Sequence, residues 1–201
     1  MKERTDIINI IKGNKEYNSN NLNVPGDLKA DAQRLCWEYN QTPPDAGEKR
    51  KAILKELLGS CTELTFIEPA FRCDYGFNIH THGLTVINYN CVILDTSPVD
   101  IGKNVFIGPG VCIACAGHSV DAGQRAKGIS TSKPIWIEDD VWIGANAVVC
   151  GGVTIGKGSI IGAGSVVGKD IPAGVVAAGS PCKVLRKVTE SDKIKTDDIV
   201  F

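Results

Sequence analysis

The sequence predicts a mainly β protein, a solenoid of short stacked strands, and three observations carry that prediction. First, Ile101, Ile107, Ile113, Ile137, Ile143, Val149, Ile155, Ile161 and Val167 recur at spacings of six or a multiple of six. Second, the residue after each is mostly Gly or Ala: Gly102, Gly108, Ala114, Gly144, Gly156, Gly162 and Gly168, with Glu138 and Cys150 departing. Third, the residue four places on is small or β-branched, from Val105, Val111, Val141 and Ala147 to Val153, Ser159, Ser165 and Ile171. A period of six matches neither a 3.6-residue helix nor a long alternating strand. It matches a short strand and a corner, repeated. Val105 and Ile107, like Val153 and Ile155, stand two apart and so face one side of a strand. The small neighbours permit tight corners and close stacking, and stacked coils bury a continuous aliphatic column.

Residues 1–60 lack the repeat and read as a helical segment. Leu28, Ala32, Leu35, Cys36 and Tyr39 form one helical face over Asp27–Asn40, with Asp27 as its expected cap after Pro25-Gly26. Thr42-Pro43-Pro44 breaks the chain. A second helix is expected over Asp45–Leu58, with Ile53, Leu54, Leu57 and Leu58 inward and Glu48–Lys51 as its solvated face. Residues 61–188 form the solenoid, irregular up to about residue 98. The twenty-four residues between Ile113 and Ile137 keep the register across an excursion, residues 114–134, rich in Gly, Ser, Asp and basic side chains. A long loop on a rigid scaffold is where function is usually placed. Ile171–Gly174 turns the chain, Val175–Ala178 is a last strand, and residues 189–201 read as a loose polar tail.

At 43% hydrophobic and 22% charged the chain reads as an ordinary soluble globular protein, and 201 residues make one large domain or a domain with a smaller appendage. A net charge of −1 gives no basic field for nucleic acid. The N-terminal MKERTDIINIIKGNKEYN has no apolar core of signal-peptide length, and no run is long enough to span a membrane. The eight cysteines are therefore expected reduced, in the cytoplasm. Cys112-x-x-Cys115-x-x-His118 is a fragment of a metal-site pattern, but no second pair exists and the hexad phase runs through it. No metal is expected.

IGKNVFIGPGVCI, VWIGANAVVCGGVTIGKGSIIGAGSVVGKDIP and AAGSPCKVLRKV resemble the hexapeptide-repeat acyltransferases. The whole chain is most similar to their maltose, galactoside and nodulation-factor O-acetyltransferase branch. The resemblance implies a left-handed parallel β-helix with three hexads to a triangular turn, a handedness the periodicity does not contain. It implies acetyl-CoA as donor, a sugar as acceptor, and a homotrimer with sites between subunits. CDYGFNIH matches the family's entry segment. Thr81-His82 stands where relatives have an Ile-Gly pair, so an imperfect first full coil is expected.

His118, at the mouth of the loop in Ala116-Gly117-His118-Ser119, stands where the family has its catalytic His. A sugar hydroxyl is a poor nucleophile at neutral pH and needs a base, and imidazole suits that task. Relatives carry Pro where this chain has Ser119, a change expected to affect loop stiffness more than chemistry. The resemblance places the oxyanion donor on the Ala145 backbone N–H, and Trp142 beside both cofactor and substrate. Asp74 and Asn88 match acceptor-binding positions, and Asn20 aligns loosely with an N-terminal sugar contact. For coenzyme A the matches are Trp142, Ala145, Ala163, Gly168, Lys169, Lys183 and Arg186, the basic residues suiting phosphates. Serine or an antibiotic is an alternative acceptor. A γ-class carbonic anhydrase shares the coil but needs three zinc-binding histidines, and Gly123 stands where the second of its paired histidines would fall. A non-catalytic scaffold is the rival outside enzymes.

Overall fold

The computed structural model describes residues 3–199. Its elements in chain order begin with α1 (Arg4–Ile11), β1 (Tyr17–Asn20), α2 (Asp27–Gln41) and α3 (Gly47–Leu57). Short strands follow: β2 (Thr65–Ile67), β3 (Arg72–Cys73), β4 (Ile79–Thr81), β5 (Thr85–Ile87), β6 (Val92–Leu94), β7 (Val99–Ile101), β8 (Val105–Ile107) and β9 (Cys112–Ala114). The loop holds β10 (Ala116–His118), α4 (Ala122–Ala126) and β11 (Ile129–Ser132). The coil resumes with β12 (Ile135–Ile137), β13 (Trp142–Ile143), β14 (Val148–Cys150), β15 (Thr154–Ile155), β16 (Ile160–Ile161), β17 (Val166–Val167) and β18 (Val175–Ala178), and β19 (Lys183–Lys187) ends it.

Strands of successive turns pair in parallel and make three faces of a β-helix. The first face runs β4-β7-β12-β15, the second β2-β5-β8-β13-β16-β18, and the third β3-β6-β9-β14-β17. The aliphatic column lies inside: Ile101, Ile107, Ile113, Ile137, Ile143, Val149, Ile155, Ile161 and Val167 are all at most 2% exposed. Each such buried side chain contributes roughly 1.5–3 kcal/mol. Gly108 and Gly144 belong to this stacking, since a Cβ on Gly144 would lie 2.6 Å from the Ala163 nitrogen above it. Corners pass through the left-handed region at Asn90, Asn104, Asp140 and Asn146, where Asn and Asp are the best tolerated of side-chain-bearing residues.

The turns differ in length. Partners in the lower coils stand 20 residues apart, as Ile79 with Val99 and Ile87 with Ile107. In the upper coils they stand 18 apart, as Ile143 with Ile161 and Val149 with Val167. The extra residues all fall at one edge, between the third and first faces, in Asp74–Asn78 and Asp95–Pro98. The loop after β9 leaves from the same edge one turn higher. All three departures from the hexad are thus stacked on one edge.

Several details differ from the sequence expectation. The cap of α2 is Gly26 rather than Asp27; Asp27 sits in the first turn and pairs with Arg4 of α1 at 2.6 Å. The coil at Thr81 is regular: β4 keeps full register with β7, and Thr81 is buried with its hydroxyl 2.7 Å from that of Thr65. A polar residue fits the column because it is hydrogen-bonded there. Ala114 still belongs to β9, so the excursion begins at Cys115. The last strand is not Val175–Ala178, because β19 turns back and pairs antiparallel with it. The tail carries 3-10 turns at Glu190–Asp192 and Thr196–Asp198; its last two residues, like the first two of the chain, lie outside the described residues.

Candidate active site

The loop that leaves the third face folds into β10 and β11, which pair antiparallel, and β1 adds to the other side of β11. Asp121 caps α4 by accepting from the Gln124 N–H at 2.7 Å, and the Ser119 hydroxyl donates to the Gln124 side chain at 2.7 Å. Ser119 therefore ties the start of the loop to α4. The β10–β11 pairing fixes His118 opposite Ser130, and its side chain is exposed.

A cavity of about 410 Å³ opens beside His118 on the widened edge. Its walls come from all three corner insertions and from the N-terminal segment: Asp74 and Tyr75, Thr96, Gly117 and His118, and Tyr17, Ser19 and Lys29. The lining is dense in hydroxyls. Thr96 and Ser132 hydroxyls lie 2.6 Å apart, Ser19 and Ser130 hydroxyls 2.8 Å apart, and the Tyr17 hydroxyl donates to the Thr96 carbonyl at 2.5 Å. Lys29 pairs with Asp74 at 2.7 Å. Beneath the lining, fully buried Asp95 accepts from the N–H groups of Asp74 at 2.9 Å, Tyr75 at 2.8 Å and Asn78 at 3.3 Å. Burial pushes its carboxyl up to about 6 against the pull of those donors.

The structure brings His118 and Asp74 together and leaves the other matched residues apart. Asn20 does not line this cavity; its side chain accepts from the Leu22 N–H at 3.0 Å, and Ser19 and Asn21 on either side reach the cavity instead. Gly168 and Lys169 lie higher on the same edge, in a cleft of about 400 Å³ with Lys133 and Trp136. Asn88, Ala145 and Ala163 occupy the edge between the second and third faces, Trp142 stands on the second face, and Lys183 and Arg186 are on β19 beside it. A three-residue strand, roughly 10 Å long, separates the two edges. Asn88 turns its carboxamide oxygen onto the Tyr89 N–H at 2.8 Å. The Arg186 guanidinium is held by both carboxylate oxygens of Asp192 at 2.7 Å, which lowers the Asp192 carboxyl to about 2.

On the edge that bears Ala145, Pro109 one turn below it carries no N–H, and the Ala163 N–H one turn above meets no acceptor among the described residues. Among the described residues, no acceptor meets the half-buried Ala145 N–H. Among the described residues there is also no cluster of three or more His, Cys, Asp or Glu suited to a metal.

Tyr17, Lys29, Asp95 and Thr96 were not singled out from the sequence. The signal for Asp95 and Thr96 was there: Ile93 and Ile101 stand eight apart, not six. Tyr17 lies in YNSN, a polar strand that forms only by pairing with β11.

Two family models match: a bacterial transferase hexapeptide model of six repeats over residues 134–169, and a maltose acetyltransferase hexapeptide capping motif over residues 16–62. The chain is 44% identical to the galactoside O-acetyltransferase of Escherichia coli over 79% of its own length and 78% of that relative's. Its fold matches a hexapeptide-repeat acetyltransferase of Vibrio cholerae complexed with acetyl-coenzyme A, with TM-score 0.84 and 36% identity, over 92% of this chain and 99% of that one. It also matches a galactoside acetyltransferase in complex with coenzyme A, with TM-score 0.85 and 38% identity, over 98% and 96% of the two chains. With the coil, the helical cap and whole-length similarity in agreement, the chain belongs to the hexapeptide-repeat acetyltransferases, in their maltose and galactoside O-acetyltransferase branch.

Proposed function

We propose that the chain transfers the acetyl group of acetyl-coenzyme A to a hydroxyl of a sugar or similar polyol, with His118 as general base. The observation that carries the reading is the exposed His118 imidazole on the wall of a cavity lined by hydroxyls and one carboxylate, Asp74. A sugar presents several hydroxyls that need partners once desolvated, and such a lining supplies them. In the reaction His118 accepts the acceptor's proton as its oxygen attacks the thioester carbonyl. A C–O bond forms, the C–S bond breaks, and the proton passes to the departing coenzyme A sulfur. The free Ala145 N–H is suited to receive the oxyanion. No residue of the chain needs to carry the acetyl group.

The donor assignment draws on the relatives that hold coenzyme A or its acetyl form. In this chain the open backbone around Gly164, where a Cβ would touch nothing within 4 Å, leaves room for a thin pantetheine arm beside Ala163. Lys169, Lys183 and Arg186 are exposed cations for its phosphates, Arg186 exchanging Asp192 for a phosphate oxygen. An acetyl-coenzyme A donor and eight free thiols both suit the cytoplasm.

The residues matched to one site sit on two edges of a triangular prism, and one subunit cannot join them. A second copy can, if its edge bearing Asn88 and Ala145, with Trp142 on the adjoining second face, docks against the His118 edge. The second face is suited to being covered, because Phe66 (47% exposed), Phe106 (45%) and Trp142 (54%) line up across its outer surface. We assign the working form as a homotrimer, the assembly that the family resemblance implies and that lets each site draw on two subunits. Sedimentation is expected to show a trimer, and a stable monomer with full activity would defeat the shared site.

The functional assay is thiol release from acetyl-coenzyme A over maltose, glucose, galactosides, serine and chloramphenicol. A sugar-dependent rate is the expected result. A rate with serine or chloramphenicol alone would overturn the sugar reading, and no rate together with no coenzyme A binding would make the chain a scaffold.

A further inference from the structure

Among the described residues, Asp74 is the single carboxylate of the cavity lining and Lys29 its single ammonium. Lys29 stands in the first turn of α2, whose start is held by Arg4 gripping Asp27 through two hydrogen bonds of 2.9 and 2.6 Å. From there its Nζ reaches 2.7 Å from Asp74 Oδ1 and lies 5.9 Å from the centre of the Tyr75 ring. The Asp74 side chain is only 15% exposed and that of Lys29 46%. An ammonium beside a poorly solvated carboxylate and near an aromatic face is a cation site already filled.

We propose that Lys29 sets acceptor specificity by occupying this cation site, so that the cavity takes neutral polyols and rejects amino sugars. This inference rests on the reading of the cavity as a sugar-acceptor site. With Lys29 in place, a second cation meets a like charge and finds no free carboxylate. A neutral sugar meets no such penalty, because its hydroxyls can donate to the outer lone pairs of Asp74 while Lys29 holds that carboxylate in one orientation. Without Lys29, Asp74 becomes an unpaired carboxylate beside the Tyr75 ring, which is the arrangement that attracts an ammonium group.

The test compares glucose with glucosamine, at a pH that keeps the amine protonated, as acceptors for the wild type, Lys29→Met and Lys29→Arg. Lys29 lies on the surface of α2, and circular dichroism would confirm that its replacement leaves the fold intact. In Lys29→Met, the glucosamine-to-glucose ratio of kcat/KM is expected to rise at least about tenfold, chiefly through KM, the size expected for one charge pair in a partly exposed site. Lys29→Arg keeps the wild-type preference. If Lys29 only fastens α2 to the coil, both acceptors lose kcat/KM equally and the ratio stays put, which overturns the proposal. Turnover of neither sugar by the wild type would overturn the sugar-acceptor reading, and this inference with it. Turnover of both with an unmoved ratio overturns this inference alone.

Discussion

His118→Ala is expected to lower kcat for acetyl transfer by roughly 10²- to 10⁴-fold, the range spanned by loss of a positioned general base. That corresponds to about 3–5.5 kcal/mol of barrier. The side chain is exposed and belongs to no described hydrogen bond of the fold, whereas its backbone stays paired with Ser130 in the β10–β11 ladder. The substitution removes the imidazole and leaves the wall of the cavity standing. KM for acetyl-coenzyme A is expected to change little, because the cations proposed for its phosphates, Lys169, Lys183 and Arg186, are untouched. Steady-state thiol release, with coenzyme A affinity measured by calorimetry, separates the two quantities. Retention of activity within about tenfold would remove His118 from the role of base.

Asp95→Ala is expected to be the most damaging change at the site that leaves its lining residues in place. The Asp95 carboxylate gathers three backbone N–H groups of the Asp74–Asn78 corner in a fully buried position. Its removal orphans them at about 1–3 kcal/mol each, offset in part by relief of a desolvated charge. A net loss on the order of 3 kcal/mol follows, or roughly 10 °C in Tm for a chain of this length. Because that corner presents Asp74 and Tyr75 to the cavity, acceptor KM is expected to rise as well.

The same residue gives a signed pH effect. Burial raises Asp95 from 3.8 to about 6, so between those values the folded chain holds a proton that the unfolded chain has released. The stabilisation is fully present below about pH 4 and is lost as pH rises through about 6, with an upper size near 3 kcal/mol. Chemical unfolding of the wild type and Asp95→Asn at pH 4.5 and 7.5, at one protein concentration, should show the larger wild-type advantage in acid. An advantage independent of pH would mean that Asp95 titrates normally.

The coil was legible because one short-range rule repeats: an aliphatic residue every sixth place, with a small neighbour, is buried by stacking short strands and corners, though that rule leaves the handedness open. α2 and α3 were legible from the faces carrying Leu35 and Leu54. β1 and β19 were not, since YNSN and KVLRK become strands only against partners remote in sequence or reached by a reversal. His118 and Asp74, both matched by resemblance, fall on one cavity, and for His118 a break in the repeat coincides with polar chemistry. Lys29 and Tyr17 were not legible, because they reach the cavity through tertiary packing from a segment with no coil periodicity. Asp95 fell between: the spacing of eight marked its corner, but only the structure shows its carboxylate turned inward onto three N–H groups. Asp27 misled because Pro25-Gly26 starts the helix one residue earlier.

A parallel coil has a further liability, since each open end offers a row of unpaired strand edges to the next molecule, and copies could add on end to end as a filament. Here both ends are closed. At one, α2 and α3 bring Leu35, Tyr39, Leu54 and Leu57 down onto the same core as Ile67, Phe71 and Ile79. At the other, β19 reverses direction along β18 and presents Lys183, Arg186 and Lys187 to solvent. An incoming parallel strand would meet an antiparallel edge studded with charge, so the molecule stops polymerisation at the same strand that carries its proposed phosphate contacts.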